Sequence, residues 1–197
     1  MKKFFIMLAI MLSAILSFTS CNEDVAISNT LSGDWRGNFG MYYKYYDRYG
    51  NYVNTYDCYD SDIRFLPDYE YATHGIGYQV DYYEFGPYKR IYHTFDWDVR
   101  NENIYLHYHG ESEYDTIIRD YRMNYRSFEG YFSNGSEKFY LYKINDFYWD
   151  SSWNDYGYDY YTDWYYSLTR SAEATDSIPA KEDLEGGTIR LGNRFEK

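Results

Sequence analysis

Apolar and polar positions alternate with a period of two from Trp35 to Ile144, the pattern of strands that bury one face. The clearest case is His93-Thr94-Phe95-Asp96-Trp97-Asp98-Val99, with Phe95, Trp97 and Val99 on one side and Asp96 and Asp98 on the other. Asn101-Glu102-Asn103 then reads as a turn, and Ile104, Leu106 and Tyr108 carry the apolar side back, which predicts a hairpin. Similar runs cover Trp35–Tyr46, Ser61–Leu66, Glu70–Tyr83, Tyr114–Met123, Ser127–Phe132 and Lys138–Ile144. Turn residues such as Tyr49-Gly50-Asn51, Phe85-Gly86-Pro87 and Ser133-Asn134-Gly135 punctuate them, and no stretch here has helical spacing. Eight meandering antiparallel strands predict an all-β fold, an up-and-down barrel that removes its own edges by closure. A β-sandwich is the alternative.

The first 21 residues follow different rules. Lys2 and Lys3 precede an apolar run from Phe4 to Leu16, and small or polar residues lead from there to Cys21. An apolar stretch of about 13 residues is short for a membrane span, which needs about 20, and has the make-up of a secretory signal. The Phe18-Thr19-Ser20-Cys21 sequence resembles the lipobox of bacterial lipoproteins, with Phe18 where Leu is usual. The resemblance implies that Cys21 is acylated, becomes the mature N-terminus and anchors the protein in a lipid membrane. Asn22-Glu23-Asp24 resembles the short acidic signal that sends some such lipoproteins to the outer face of the outer membrane. The implied division is a signal over 1–20 and a linker over 21–31 that starts at lipidated Cys21. A barrel over 32–145, a Tyr/Trp-rich segment over 146–170 and a flexible acidic tail over 171–197 follow. An extended linker from Asn22 to Leu31 would reach at most roughly 35 Å from the membrane.

A second resemblance sits where the first strand opens. Leu31-Ser32-Gly33-Asp34-Trp35 contains a Gly-x-Trp that looks like the motif beginning lipocalin-like barrels. In that family the Trp plugs the closed end and an Arg near the end of the last strand covers it; here the nearby cation is Lys143. Gly33 and Trp35 are therefore the expected barrel plug. On this register Phe39, Phe65, Tyr78, Phe95, Leu106 and Phe139 point inward and would line any ligand pocket. An eight-stranded interior is just wide enough to be filled by side chains or to hold one small ligand, and so many aromatic rings favour filling.

Charge and candidate chemistry narrow the function. Of 19 basic side chains Lys2 and Lys3 leave with the signal, so 17 face 31 acidic ones, a formal charge of −14. Nucleic acid, which is held by Lys and Arg on phosphates, is not an expected partner. Cys58 has no intrachain partner once Cys21 is acylated, so the fold must hold by burial, and no neighbouring cation marks Cys58 as reactive. His107 and His109 fall on the outward side of their strand, while His74 and His93 fall inward but at opposite strand ends, so no metal site is expected. Serine-hydrolase, zinc-protease and nucleotide-loop motifs are missing, and no carboxylate pair stands out for a glycan hydrolase, so no catalysis and no cofactor are expected.

Thirty tyrosines remain to be explained. Seven of them, with three tryptophans and four aspartates, crowd Phe147–Tyr166, which makes Tyr148, Trp149, Trp153 and Trp164 candidate surface contacts. Tyr42, Tyr46, Tyr105, Tyr140 and Tyr142 are expected to face outward, where aromatic patches mark contact surfaces. The sequence predicts a membrane-anchored binding module for a small molecule, glycan or envelope protein. The alternative is an assembly subunit that docks through its Tyr/Trp-rich segment.

Overall fold

A computed structural model describes residues 23–109, 115–133, 135, 137–147 and 187–195. The chain is all-β with one short helix, α1, over residues 23–31. The strands are β1 (Gly33–Asn38), β2 (Met41–Tyr46), β3 (Tyr52–Asp57), β4 (Asp60–Pro67), β5 (His74–Tyr82) and β6 (Arg90–Arg100). They continue as β7 (Asn103–Tyr108), β8 (Thr116–Ile118), β9 (Arg122–Met123), β10 (Ser127–Tyr131), β11 (Lys138–Asp146) and β12 (Thr188–Asn193). Nine form one antiparallel sheet in the order β8-β7-β6-β5-β4-β1-β11-β10-β9, and β12-β2-β3 form a second. The edge strands β8 and β9 follow each other in sequence, joined only by Arg119, Asp120 and Tyr121. The large sheet therefore curls until its edges lie within about 14 Å, the reach of that link. Among the described residues no ladder joins them, so the expected eight-stranded barrel is seen in part, as a curled antiparallel half-barrel sheet of nine strands with a smaller companion sheet.

The second sheet exists because one long hairpin bends. The expected strand from Trp35 to Tyr46 breaks at Phe39 and Gly40, and its partner breaks at the same level at Cys58 and Tyr59. Gly40 adopts φ +70°, a left-handed turn that other residues resist, and the Cys58 amide donates to the Met41 carbonyl across the bend at 2.9 Å. Phe39 fills the inside of the corner against Phe139 and Phe195, at ring distances of 6.0 and 4.8 Å. β12 then pairs with the free edge of β2, placing Ile189 and Leu191 toward the interior side with Tyr45 and Tyr43. Part of the expected flexible tail is thus a strand, because an unpaired edge and an alternating Thr188–Leu191 segment satisfy each other's backbone groups.

The expected linker is also corrected. Residues 23–31 are helical, so they rise only about 13 Å, and they dock on one end of the sheet. Ser28 donates to the Ala72 carbonyl at 2.5 Å. The Asp24 carboxylate accepts the amides of Asn101 and Glu102 at 3.1 and 2.8 Å. Both turn residues have positive φ, 50° and 63°, so Asp24 holds a strained hairpin turn in place.

Candidate functional site

The interior is an aromatic solid. Phe39, Phe65, Phe95, Leu106 and Phe139, five of the six expected pocket residues, are fully buried and face inward. Their rings touch edge to face, with Phe65 5.5 Å from Phe95 and 5.9 Å from Trp97, and Phe139 5.0 Å from Phe128. Tyr78, the sixth, is half-buried on the opposite side of its strand. β5 turns Gly75, Gly77, Gln79 and Asp81 inward instead, which also puts His74 outside. Packing explains the reversal: a Cβ on Gly77 would collide with the Phe95 ring, so the aromatic strand β6 needs a gap opposite it. A tyrosine would overfill that gap.

Polar groups gather at one level of this core. Asp81, fully buried, accepts hydrogen bonds from the Ser61 hydroxyl at 2.6 Å and the Gln79 amide at 2.8 Å. His93 Nε2 lies 2.9 Å from the other carboxylate oxygen, and Tyr108 donates to Gln79 Oε1 at 2.8 Å. The cluster joins β4, β5, β6 and β7, so it locks four strands in register. It is not arranged for nucleophilic attack, because Ser61 is aimed at the carboxylate rather than at the imidazole. Cys58 donates to the Asp60 carbonyl at 2.9 Å, and burial, with Asp81 nearby, pushes its thiol well above the ordinary range. A thiol held neutral is a poor nucleophile. Among the described residues no three His, Cys, Asp or Glu side chains stand close enough to hold a metal ion.

At the helix-capped end, Trp35 is fully buried and its indole donates to the Leu31 carbonyl at 2.7 Å. Lys143 lies over the ring, with Nζ 5.0 Å from the centroid, and donates to the Thr30 carbonyl at 2.7 Å. Burial lowers the Lys143 pKa, and the Asp146 carboxylate at 3.0 Å acts against that shift. Gly33 sits at the same end, opposite Asp146 of β11.

Clefts lined by described residues open on the outside. One, of about 330 Å³, lies between Gly33, Asp34, Arg64, Leu66, Asn145 and Phe147. Beside it runs a ladder of directly opposed cross-strand pairs, Asp34 with Arg64 and Arg36 with Asp62. Both arginines reach their partners with two nitrogens; Arg36 does so at 2.5 and 2.6 Å, and Tyr82 also donates to Asp62 at 2.8 Å. This cleft's charges are already spent on each other.

A second groove, of about 240 Å³, crosses the outer face of the small sheet between Tyr42, Lys44, Tyr46, Arg190, Leu191, Gly192 and Asn193. Tyr42, Lys44 and Tyr46 alternate onto this face of β2, and the Tyr42 ring rests directly on Gly192. Lys44 and Arg190 are both exposed and stand opposite each other in the β2–β12 register. Arg190 lies 5.0 Å from the Tyr46 ring centroid and Lys44 5.9 Å from that of Tyr42. The groove escapes the sequence because β12 is not expected as a strand; alternation at Ile189 and Leu191 is its one trace. Of the outward tyrosines, Tyr140 and Tyr142 are exposed, and Tyr42, Tyr46 and Tyr105 are half-buried. Cys21, Tyr148, Trp149, Trp153 and Trp164 lie outside the described residues.

Comparison of the chain with protein-family models, with curated proteins and with solved structures finds no match.

Proposed function

We propose that this protein is a lipid-anchored, non-catalytic binding module of the bacterial cell envelope that meets its ligand on its outer surface. The observation that carries the reading is the filled interior: Phe39, Phe65, Phe95 and Phe139, expected to line a pocket, are fully buried against other rings, while the clefts described above open outward. Two features support the anchored, lipocalin-like part of it. Lys143 over Trp35 does what an arginine does in lipocalin-like barrels, shielding the plug with a cation. Helix α1 docks at the same end, so a lipidated Cys21 would hold that end against the bilayer with almost no slack. No helix among the described residues is long and apolar enough to cross a membrane. Of the acidic patch after Cys21, Asp24 is engaged in the fold and Glu23 is exposed. The outer membrane is the proposed location.

Labelling with a palmitate analogue in a Gram-negative host tests the anchor. The native chain is expected to carry label and sediment with membranes, and Cys21→Ala to lose both. An unlabelled native chain, or identical fractionation of the two, refutes it.

A second reading rests on Tyr131, Tyr140, Tyr142 and Ile144, each between 44 and 51% exposed. An aromatic stripe of this kind suits an assembly subunit docked on a larger envelope complex. Partner proteins lost on deletion of residues 147–170, with folding intact, would favour it.

A further inference from the structure

Lys44 and Arg190 break a rule that the other strand pairs among the described residues keep. Like charges directly opposite each other on neighbouring strands repel, and natural sheets place opposite charges there. The β1–β4 ladder does so twice, with Asp34 facing Arg64 and Arg36 facing Asp62. On β2 and β12 two cations face each other, and no carboxylate among the described residues pairs with either. This happens in a chain whose formal charge is −12, so the local sign opposes the global one. Lys44 leans toward the Tyr42 ring and Arg190 toward the Tyr46 ring, so ring faces, not carboxylates, meet the two cations. A pair of cations kept without a carboxylate against such a background is expected where a ligand supplies the missing charge.

The surroundings say what kind of ligand. Tyr42 and Tyr46 flank Lys44 on the same strand face, spreading two rings along about 13 Å. Such a face suits a ligand that is flat, longer than one ring, rich in both C–H and hydroxyl groups, and anionic. The groove is also held firmly. β2 is paired on both edges, and Asn193 at the end of the groove donates to Thr116 at 2.7 Å. Little order remains to be acquired on binding.

We propose that this groove binds an acidic saccharide, with carboxylate or sulfate groups pairing to Lys44 and Arg190 and sugar rings lying against Tyr42 and Tyr46. The proposal rests on the reading above that ligands meet the outer surface, and it names the class of ligand. It does not depend on the anchor, since Cys21→Ala is expected to bind the same ligand with the same affinity.

The test is titration calorimetry on the full-length chain in detergent. The probes are an oligogalacturonate, a chondroitin sulfate oligosaccharide, a neutral xylo-oligosaccharide, a polyglutamate peptide and inorganic sulfate. Binding is expected for at least one acidic oligosaccharide, weakening as salt is added. Lys44→Gln and Arg190→Gln are each expected to weaken it about tenfold, near the value of one charge-assisted hydrogen bond. Both side chains are exposed, so the variants keep the fold, and unchanged near-ultraviolet circular dichroism verifies it. Binding to the carboxylate or the sulfate sugar alone decides which acid is read. Equal binding of the neutral sugar, of polyglutamate or of sulfate overturns the proposal, as does binding of no probe. A probe that binds but ignores both variants overturns the groove and leaves the binding module standing.

Discussion

β1 and β2 are halves of one bent ribbon, yet they treat charge in opposite ways. Along β1 each outward charge meets its complement on β4, with one member of each pair out of water: the Asp62 and Arg64 side chains are each 8% exposed. Along β2 the outward cation meets another cation on β12, in the open. The first arrangement specifies register, because sliding either strand by two residues would set like charges against like. The second specifies nothing about the fold and costs a little stability. A charge arrangement that does not help folding is the better place to look for function.

The largest effect expected is in alkali, where the buried side of the contrast fails. Burial, with the hydrogen bond to Asp62, pushes Tyr82 up beyond the usual phenol range, and burial does the same for Tyr83 and Tyr108. Tyr43 and Tyr121 rise to about 12 from 10.0, again chiefly through burial. Each phenol holds its proton more tightly folded than unfolded, so its contribution is intact below pH 10 and is lost as pH climbs through 12. Absorbance at 295 nm should therefore show exposed tyrosines ionising gradually and the buried group together with cooperative unfolding. A single smooth titration with unchanged circular dichroism would contradict this.

Cutting the complementary ladder comes next. Asp34→Ala leaves Arg64 without its bidentate partner, and the loss expected in urea denaturation is about 3–5 kcal/mol. The exchanged double variant, Asp34→Arg with Arg64→Asp, should recover part of it because the two residues stand directly opposite. Gly77→Ala, which drives a methyl into the Phe95 ring, is expected to cost about 1–3 kcal/mol. The smallest effect has the opposite sign. Lys44→Glu turns a like pair into a complementary one and should raise stability by about 0.2–1 kcal/mol in the same assay. A destabilised Lys44→Glu would mean that Lys44 serves the fold, and the contrast between the two ribbons would lose its meaning.

The hairpin of β6 and β7 was legible because Phe95, Trp97, Val99, Ile104 and Leu106 alternate without interruption and every one of them is buried. β3 was not, since Tyr52-Val53-Asn54-Thr55-Tyr56-Asp57 is a largely exposed edge strand with no buried face to impose alternation. On β5 the pattern misled: Ile76 and Tyr78 look like the inward residues, but the inner side is taken by two glycines, Gln79 and Asp81. Tyr82 and Asp62 met on the outside for the same reason. Helix α1 left only Val25, Ala26, Ile27 and Leu31 as an apolar trace, too short to read as a helix.

Sequence alone determined the β character, the burial of Trp35 and the sidedness of the longest strands, because side-chain direction alternates strictly along a strand and water sorts the two sides. Tertiary structure decided where the hairpin bends, which side of β5 faces in, and that Lys44 meets Arg190. Those depend on which ring needs space and which edge lacks a partner, and residues far apart in the chain settle both.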